Sequence, residues 1–487
     1  MRRGFVWSTL GTGGQSLFRL LTLAALARML EPADFGVVGA GLAVVQFAAV
    51  LARFGLGEAI VQRRDLQEDH VRAGFWLASG FGLLGAVALS AAAGIVAERL
   101  HMAPLVELVP VLSSILLIQG VSTVAEYGLV RDLAFRPLTL IDLAATLVGY
   151  GVVGIGLARA GAGVWSLAWA EVALVLVRSV LSIALWRHPV RLWRGNGGRD
   201  LLRFGAGIIL GRLGMFAAQR SDVLVVGGLL DARAAGVYLT ANRLTTFPVR
   251  QLGAVFDKAL SGPLARVQDD PDRVRSGFRR GTLLLALLSW PPTAILLLLA
   301  PELVRLVLGA AWGDVTLPLQ ILLVALPMRM SLKFVGIVSL SLGAVYDRAW
   351  RHWLFAGLVV AGAWWGSGWG IHGAAVGIVA ATAAHFAFAT QLTLRLVGMS
   401  GSAWAALHRP VLLDTLLVGA PVWACVALLR GLAWPAWGIV AAGSGAALVS
   451  ALVCLAVLPA ERVLGAEAAP WVGDAGRWLR GWFRSQR

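Results

Sequence analysis

Apolar residues gather in runs of about twenty along most of this chain, and the polar residues that interrupt the runs fall at helical steps. A helix needs about 20 apolar residues to cross the hydrocarbon core. A lipid-facing backbone must also satisfy its own hydrogen bonds, so such runs read as transmembrane helices. About fourteen spans are predicted, at approximately 5–29, 36–57, 73–97, 105–129, 138–158, 164–186, 204–230, 236–260, 281–300, 315–342, 353–369, 373–396, 411–429 and 436–458. The first run follows only Met1-Arg2-Arg3 and holds Gln15 and Arg19. It is too long and too polar for a cleaved leader, so it is expected to stay as a helix.

The chain also repeats itself. Leu30 begins "LEPADFGV" and Leu230 begins "LDARAAGV"; His70 begins "HVRAGF" and Arg273 begins "RVRSGF". Order and spacing are both kept, and the matches lay spans one to three over spans seven to nine. An even number of spans separates the copies, so both run the same way through the membrane, as a parallel repeat about an axis along the membrane normal. The predicted architecture is an all-α integral membrane protein with four regions. These are an N-terminal six-helix lobe (1–190), a second six-helix lobe (200–398), two additional helices (399–458) and a basic, aromatic tail (459–487) that suits an interfacial helix. Asp270-Pro271-Asp272 has the outline of a glycosyltransferase metal motif, but a helix cap with Pro271 in the first turn explains it more simply.

Composition supports the membrane reading. Of 487 residues 58% are hydrophobic and 14% charged, with a mean hydropathy of +0.78; soluble domains carry roughly 25% charged residues. The net charge of +16 is not gathered on one soluble face, which argues against a nucleic-acid partner. It marks topology instead. About 25 of the 42 basic residues lie at one alternating set of span ends and about six at the other; by the positive-inside rule both termini face the cytoplasm. Cys425 and Cys454 sit inside apolar spans and form no metal or disulfide pattern. No cofactor is implied.

Eleven basic residues remain inside predicted spans: Arg19, Arg53, Arg178, Arg212, Arg220, Arg243, Arg250, Lys258, Arg329, Lys333 and Arg395. Each costs roughly 2.5 kcal/mol or more against lipid near a helix centre, so most must face protein or water. Several belong to stripes. Ser8, Thr12, Gln15, Arg19 and Thr22 share one face of the first helix, and Gln46 and Arg53 lie seven apart on the second. In the seventh span Arg212, Gln219 and Asp222 share a face flanked by Arg220, while Arg243, Arg250 and Asp257 recur every seven residues along the eighth. Polar faces on the first two helices of each lobe suit a cationic, water-filled central cavity. Such a cavity favours an anion, because guanidinium stays charged and grips phosphate bidentately. Substrate contacts are expected from Arg19, Arg53, Arg212, Arg220, Arg243, Arg250, Gln15, Gln46 and Gln219, with Asp222 and Asp257 as acidic coupling candidates. Pro248, Pro291, Pro292, Pro327 and Pro421 are candidate bend points for alternating access.

Longer stretches carry a resemblance: "ARMLEPADFGVV" from Ala27, "FGLGEAIVQRRDLQEDHVRAGFW" from Phe54, "RDLAFRPLTLIDL" from Arg131, "GVWSLAWAE" from Gly163, "SDVLVVGGLL" from Ser221, "GVYLTANRLTTFPV" from Gly236 and "LARVQDDPDRVR" from Leu264. The sequence resembles bacterial polysaccharide flippases of the Wzx type, within the multidrug/oligosaccharidyl-lipid/polysaccharide exporter superfamily. The likeness covers most of the first 340 residues and fades afterwards. It implies a two-lobed transporter, not an enzyme, in the bacterial cytoplasmic (inner) membrane. Its substrate would be an undecaprenyl-pyrophosphate-linked oligosaccharide for exopolysaccharide or O-antigen-type polymers, with cavity arginines such as Arg19, Arg53 and Arg250 near the head group. Membrane lipids and a polymerase or export machinery are the implied partners.

The alternative is a MATE-like cation-coupled exporter of drugs or small molecules. Those relatives often carry an acidic residue and a proline in the first helix, and this first helix has neither. A membrane sugar polymerase or ligase would want a sizeable external loop bearing an acid, base or nucleophile, and the predicted external loops are about 15 residues or fewer. His385 alone among the histidines lies deep in a span, where packing is a simpler role than proton relay.

Overall fold

The computed structural model describes Gly14 and residues 18–193, 195, 197–266 and 270–457. The expectations for Ser8, Thr12, Gln15 and the tail 459–487 lie outside the described residues, as do those for the side chains of Arg212, Gln219, Arg250, Asp257 and Lys258. All regular structure among the described residues is helical. The chain divides into two compact units: residues up to 240 with 356–377, and residues 241–355 with those from 378 onward.

The first unit opens with α1 (Phe18–Ala27), followed by α2 (Pro32–Arg53), α3 (Leu56–Gln62), α4 (Glu68–Ala91), α5 (Ala93–Arg99) and α6 (Leu105–Arg131). Next, α7 (Phe135–Thr146) runs through a π-helical stretch, Leu147–Gly154, into α8 (Ile155–Arg159); α9 (Val164–Leu185), α10 (Gly197–Leu229) and the first turns of α11 (Ala232–Arg266) complete the series. The helix starts follow local chemistry. Before α2 the Glu31 N–H donates to the Asp34 carboxylate at 3.1 Å, with Pro32 in the first turn, and before α4 the Gln67 N–H donates to His70 Nδ1 at 3.1 Å. Phe54 and Gly55, at φ 43° and 67°, turn α2 sharply into α3. Small residues then let backbones touch: a Cβ on Gly82 of α4 would lie 2.5 Å from the Leu116 carbonyl of α6, and one on Gly120 of α6 would lie 2.5 Å from the Ala78 carbonyl of α4.

The sequence repeat has a direct structural counterpart. α2 and α11 begin at positions 200 residues apart, and α4 and the later helix that starts at Pro271 begin 203 apart. The N-terminal turns of α2 and α11 also cross each other. A Cβ on Gly36 would meet the Ala232 carbonyl oxygen at 1.8 Å, and a Cβ on Gly236 would meet the Pro32 carbonyl oxygen at 1.7 Å. Those two contacts are the same contact read from either copy, which is the signature of a local two-fold. At the crossing equivalent positions face each other, so both cannot be large: Gly39 opposes Leu239, whose Cδ2 would be 2.2 Å from a Cβ.

The second unit holds the rest of α11, then α12 (Pro271–Val307), a 3-10 turn (Ala310–Val315), α13 (Thr316–Val324) and α14 (Leu326–Ser341). It also takes in parts of α15 (Val345–Gly366) and α16 (Gly370–Val397), then α17 (Gly401–Ala406), α18 (His408–Gly431) and α19 (Ala436–Val457). Asp270 caps α12, accepting the Arg273 N–H at 3.1 Å with Pro271 in the first turn, as the cap reading predicts. Leu299 of α12, Val418, Val422 and Val426 of α18, and Ile439 and Ala447 of α19 form one buried cluster. Arg430 Nε and a terminal nitrogen of the same side chain grip both Glu302 oxygens at 2.7 Å, joining α18 to α12.

Among the described residues nine helices are long and apolar enough to cross a membrane, or ten if α14 and the segment before it, bent 41° at their junction, count as one span. The bend lies beside Pro327, a predicted bend point, whereas α12 continues through Pro291 and Pro292 and α18 through Pro421. α10 and α11, at 33 and 35 residues, contain the seventh and eighth predicted spans and are not counted among the nine.

Candidate functional site

The intramembrane cations sort by what faces them. Arg178 of α9 is satisfied: its Nη1 lies 3.2 Å from Asp142 of α7 and its Nε 3.5 Å from Glu126 of α6, and Ser122 donates to the same Glu126 at 3.1 Å. Arg329 of α14 donates to the Asn242 side chain at 3.0 Å. These are interhelical pairs. Arg19 and Arg395 are exposed on α1 and α16. Arg220 and Arg243 are half-buried, and Arg220 takes part in an interaction with its surroundings.

Arg53 is different. It stands in the last turn of α2, seven residues after the half-buried Gln46, and its Nε is buried with no hydrogen-bond partner among the described residues. A cavity of about 10 Å³ adjoins it, walled by Ala78 and Gly82 of α4 and by Gln119, Gly120 and Thr123 of α6. That is the smallest space able to hold one water. The Thr123 hydroxyl is committed to the Gln119 carbonyl at 2.6 Å, so the Gln119 side-chain amide is the polar group left beside the guanidinium. Gln119 escaped the sequence reading because that reading followed the cations, and α6 carries none before Arg131; a lone amide in mid-span was the available signal. A buried donor costs about 1–3 kcal/mol where no acceptor reaches it, so Arg53 Nε is placed to take an acceptor from the cavity side.

Asp222 of α10 is buried, 5% exposed, and accepts the Tyr238 hydroxyl at 2.7 Å and the Val223 N–H at 2.8 Å. The structure therefore places this coupling candidate in the contact between α10 and the start of α11. In α1, Thr22 is buried and its hydroxyl turns back to the Phe18 and Arg19 carbonyls at 3.1 and 3.0 Å. α2 packs on α10 through Phe47 and Phe216, ring centroids 5.7 Å apart, and through Gly205, where a Cβ would lie 1.9 Å from the Phe54 carbonyl. Within the first unit the fold thus brings Gln46 and Arg53 of α2 onto a helix in direct contact with α10, which carries Arg220. No group of three or more metal-ligating side chains forms among the described residues.

The sequence model of a family described as "Polysaccharide biosynthesis protein" matches residues 25–317. Curated relatives include the teichuronic acid biosynthesis protein TuaB of Bacillus subtilis (strain 168), 26% identical over 69% of this chain and 68% of its own. The lipopolysaccharide biosynthesis protein WzxC of Escherichia coli (strain K12) is 24% identical over 66% of each chain. The succinoglycan biosynthesis transport protein ExoT of Rhizobium meliloti (strain 1021) is 27% identical over 64% of this chain and 63% of its own. The chain therefore spans about two thirds of the length of these relatives. Among solved structures, the lipid II flippase MurJ in an inward closed conformation superposes with a TM-score of 0.73 over 93% of this chain and 98% of its own, at 10% identity. An inward-facing multidrug resistance MATE transporter of the MOP superfamily gives 0.61 over 80% and 96%, at 18% identity. Both likenesses concern the fold.

Proposed function

The chain belongs to the polysaccharide biosynthesis protein family whose sequence model spans its residues 25–317, and from that premise we propose that it flips undecaprenyl-pyrophosphate-linked oligosaccharide units across the bacterial cytoplasmic membrane for polymer assembly. The family match carries the reading. Relatives named for teichuronic acid, lipopolysaccharide and succinoglycan biosynthesis support it, and so does a fold shared with a lipid flippase. The physical argument is electrostatic: a pyrophosphate head group must cross a medium where its charge is unsolvated, and guanidinium held inside the membrane supplies compensation at lower cost than bare lipid. Arg53, with an unpartnered Nε, fits that task better than Arg178, which already has its carboxylates.

In this reading about fourteen spans form two six-helix lobes (1–190 and 200–398) plus two helices (399–458), with both termini cytoplasmic. The cation-bearing helices line a central cavity that works by alternating access, and the product passes to a polymerase or export machinery. Deleting the gene from its host is expected to abolish polymer export and to accumulate lipid-linked repeat units. Reconstituted protein should move a labelled lipid-pyrophosphate oligosaccharide across the bilayer. Normal polymer without accumulation, or efflux of cationic dyes in place of lipid movement, would overturn the reading in favour of a drug exporter.

A further inference from the structure

A groove of 990 Å³ opens in the first unit where the turn after α2 meets the chain entering α10; Phe54, Leu77, Trp193 and Leu202 give it an apolar floor, and Arg199 and Arg203 stand over it one helical turn apart. Both arginines are exposed and neither forms a hydrogen bond or ion pair with a described residue. The nearby carboxylates are committed elsewhere. Asp200, which also lines the groove, accepts Arg63 at 2.9 Å and lies 3.6 Å from His70 Nε2. Asp69 takes the backbone N–H groups of Gly195 and Gly197 at 3.2 and 3.1 Å. The groove therefore keeps an uncompensated double positive charge above apolar walls.

Its surroundings point to the bilayer as the source of the occupant. Val190, Leu192 and Phe204 are 57%, 65% and 39% exposed, and exposed Arg187 and Arg191 alternate with them. Apolar and basic side chains exposed together characterise a segment lying at a membrane interface, with stems in the acyl boundary and charged heads at the phosphates. A soluble anion has no use for Phe54, Leu77 and Leu202, and a neutral lipid has little use for two unpaired guanidiniums.

We propose that this groove seats an anionic glycerophospholipid from the adjacent leaflet, its phosphate between Arg199 and Arg203 and its first acyl carbons along Phe54, Leu77 and Leu202. The site is separate from the transport substrate proposed above, and its existence does not depend on that proposal. Basic recesses on membrane proteins recognise acidic head groups by this combination of charge and apolar wall.

The test uses the full chain in phosphatidylcholine nanodiscs doped with either photoactivatable phosphatidylglycerol or photoactivatable phosphatidylcholine, with crosslinks mapped by peptide mass spectrometry. Phosphatidylglycerol is expected to label the peptides around Trp193 and Leu202 about tenfold more than phosphatidylcholine. Unlabelled phosphatidylglycerol should compete and inorganic phosphate should not. The double variant R199Q/R203Q should reduce labelling to the phosphatidylcholine level, and L77Q should weaken it with both arginines present. Equal labelling by the two lipids in the unaltered protein overturns the proposal, as do undiminished labelling of folded R199Q/R203Q and displacement by inorganic phosphate alone.

Discussion

Arg53 and Arg178 are both arginines within membrane helices of one unit, and their neighbours give them opposite meanings. Arg178 is matched by Glu126 and Asp142. Removing it strands two carboxylates, so R178A should lower stability by about 2 kcal/mol, below the full penalty for a buried pair because the arginine is part-exposed. Arg53 Nε has no partner to lose among the described residues. R53Q should therefore unfold at or above the temperature of the unaltered protein while lipid-linked substrate transport falls about tenfold or more. Thermal unfolding of both variants beside a flipping assay decides the matter; equal destabilisation by the two substitutions would make Arg53 structural. His188, in the connection before α10, offers a pH test. Burial beside Phe75 and Trp186, with ring centroids 5.2 and 5.9 Å away, pushes its imidazole pKa below the ordinary value of 6.5. The folded state thus favours the neutral ring, and its contribution is complete above pH 6.5 and lost as pH falls below that value. H188F should flatten the loss of melting temperature between about pH 6.5 and 5; an unchanged slope would show that other groups control it.

Helix packing turns on where glycine permits backbone contact. At Gly36 and Gly236 a single methyl would fall within 2 Å of a carbonyl oxygen on the opposing helix, so both G36A and G236A must push α2 and α11 apart. Each is expected to cost about 3 kcal/mol or to prevent folding. Gly357, inside α15 with nothing within 4 Å of its would-be Cβ, is the control: G357A should leave the melting temperature and yield unchanged or slightly raised. A G36A protein as stable as G357A would refute the crossing. The repeat motif that holds these two glycines was legible from residue order alone, because the same turn chemistry at Glu31 to Asp34 and at Asp231 recurs before each helix. The nine helices long and apolar enough to cross a membrane among the described residues were legible because lipid demands long apolar runs. What remained hidden depends on neighbours distant in sequence. Arg53, Arg178 and Arg220 look alike as letters, and the carboxylates that separate them lie on other helices. The extension of α10 back to Gly197 was masked by glycines that ordinarily end helices, here stabilised by the Asp69 carboxylate. The groove over Arg199 and Arg203 could not be read either, since its floor joins Phe54, Leu77 and Trp193 from three separate segments.

At the scale of the whole chain, the repeat and the charge bias are independent arguments about topology and they must agree. In the proposed parallel repeat, copies that begin 200 residues apart run in the same direction through the membrane. An even number of spans must then separate them. The basic residues, concentrated at alternate ends, call for the same parity and add the sign, so the proposed topology has Arg64 and Arg409 in the cytoplasm and Ala160 and Ala433 outside. All four positions are exposed, so each can report by cysteine labelling once Cys425 and Cys454 are replaced by alanine. In intact cells a membrane-impermeant maleimide should label A160C and A433C, whereas R64C and R409C should react only after permeabilisation. Fully reversed labelling would keep the span parity and invert the orientation, removing the cytoplasmic placement of both termini. Labelling of Arg64 and Ala160 positions from the same side would break the parity between α3 and α9, and with it the parallel two-lobe arrangement on which the flippase mechanism rests.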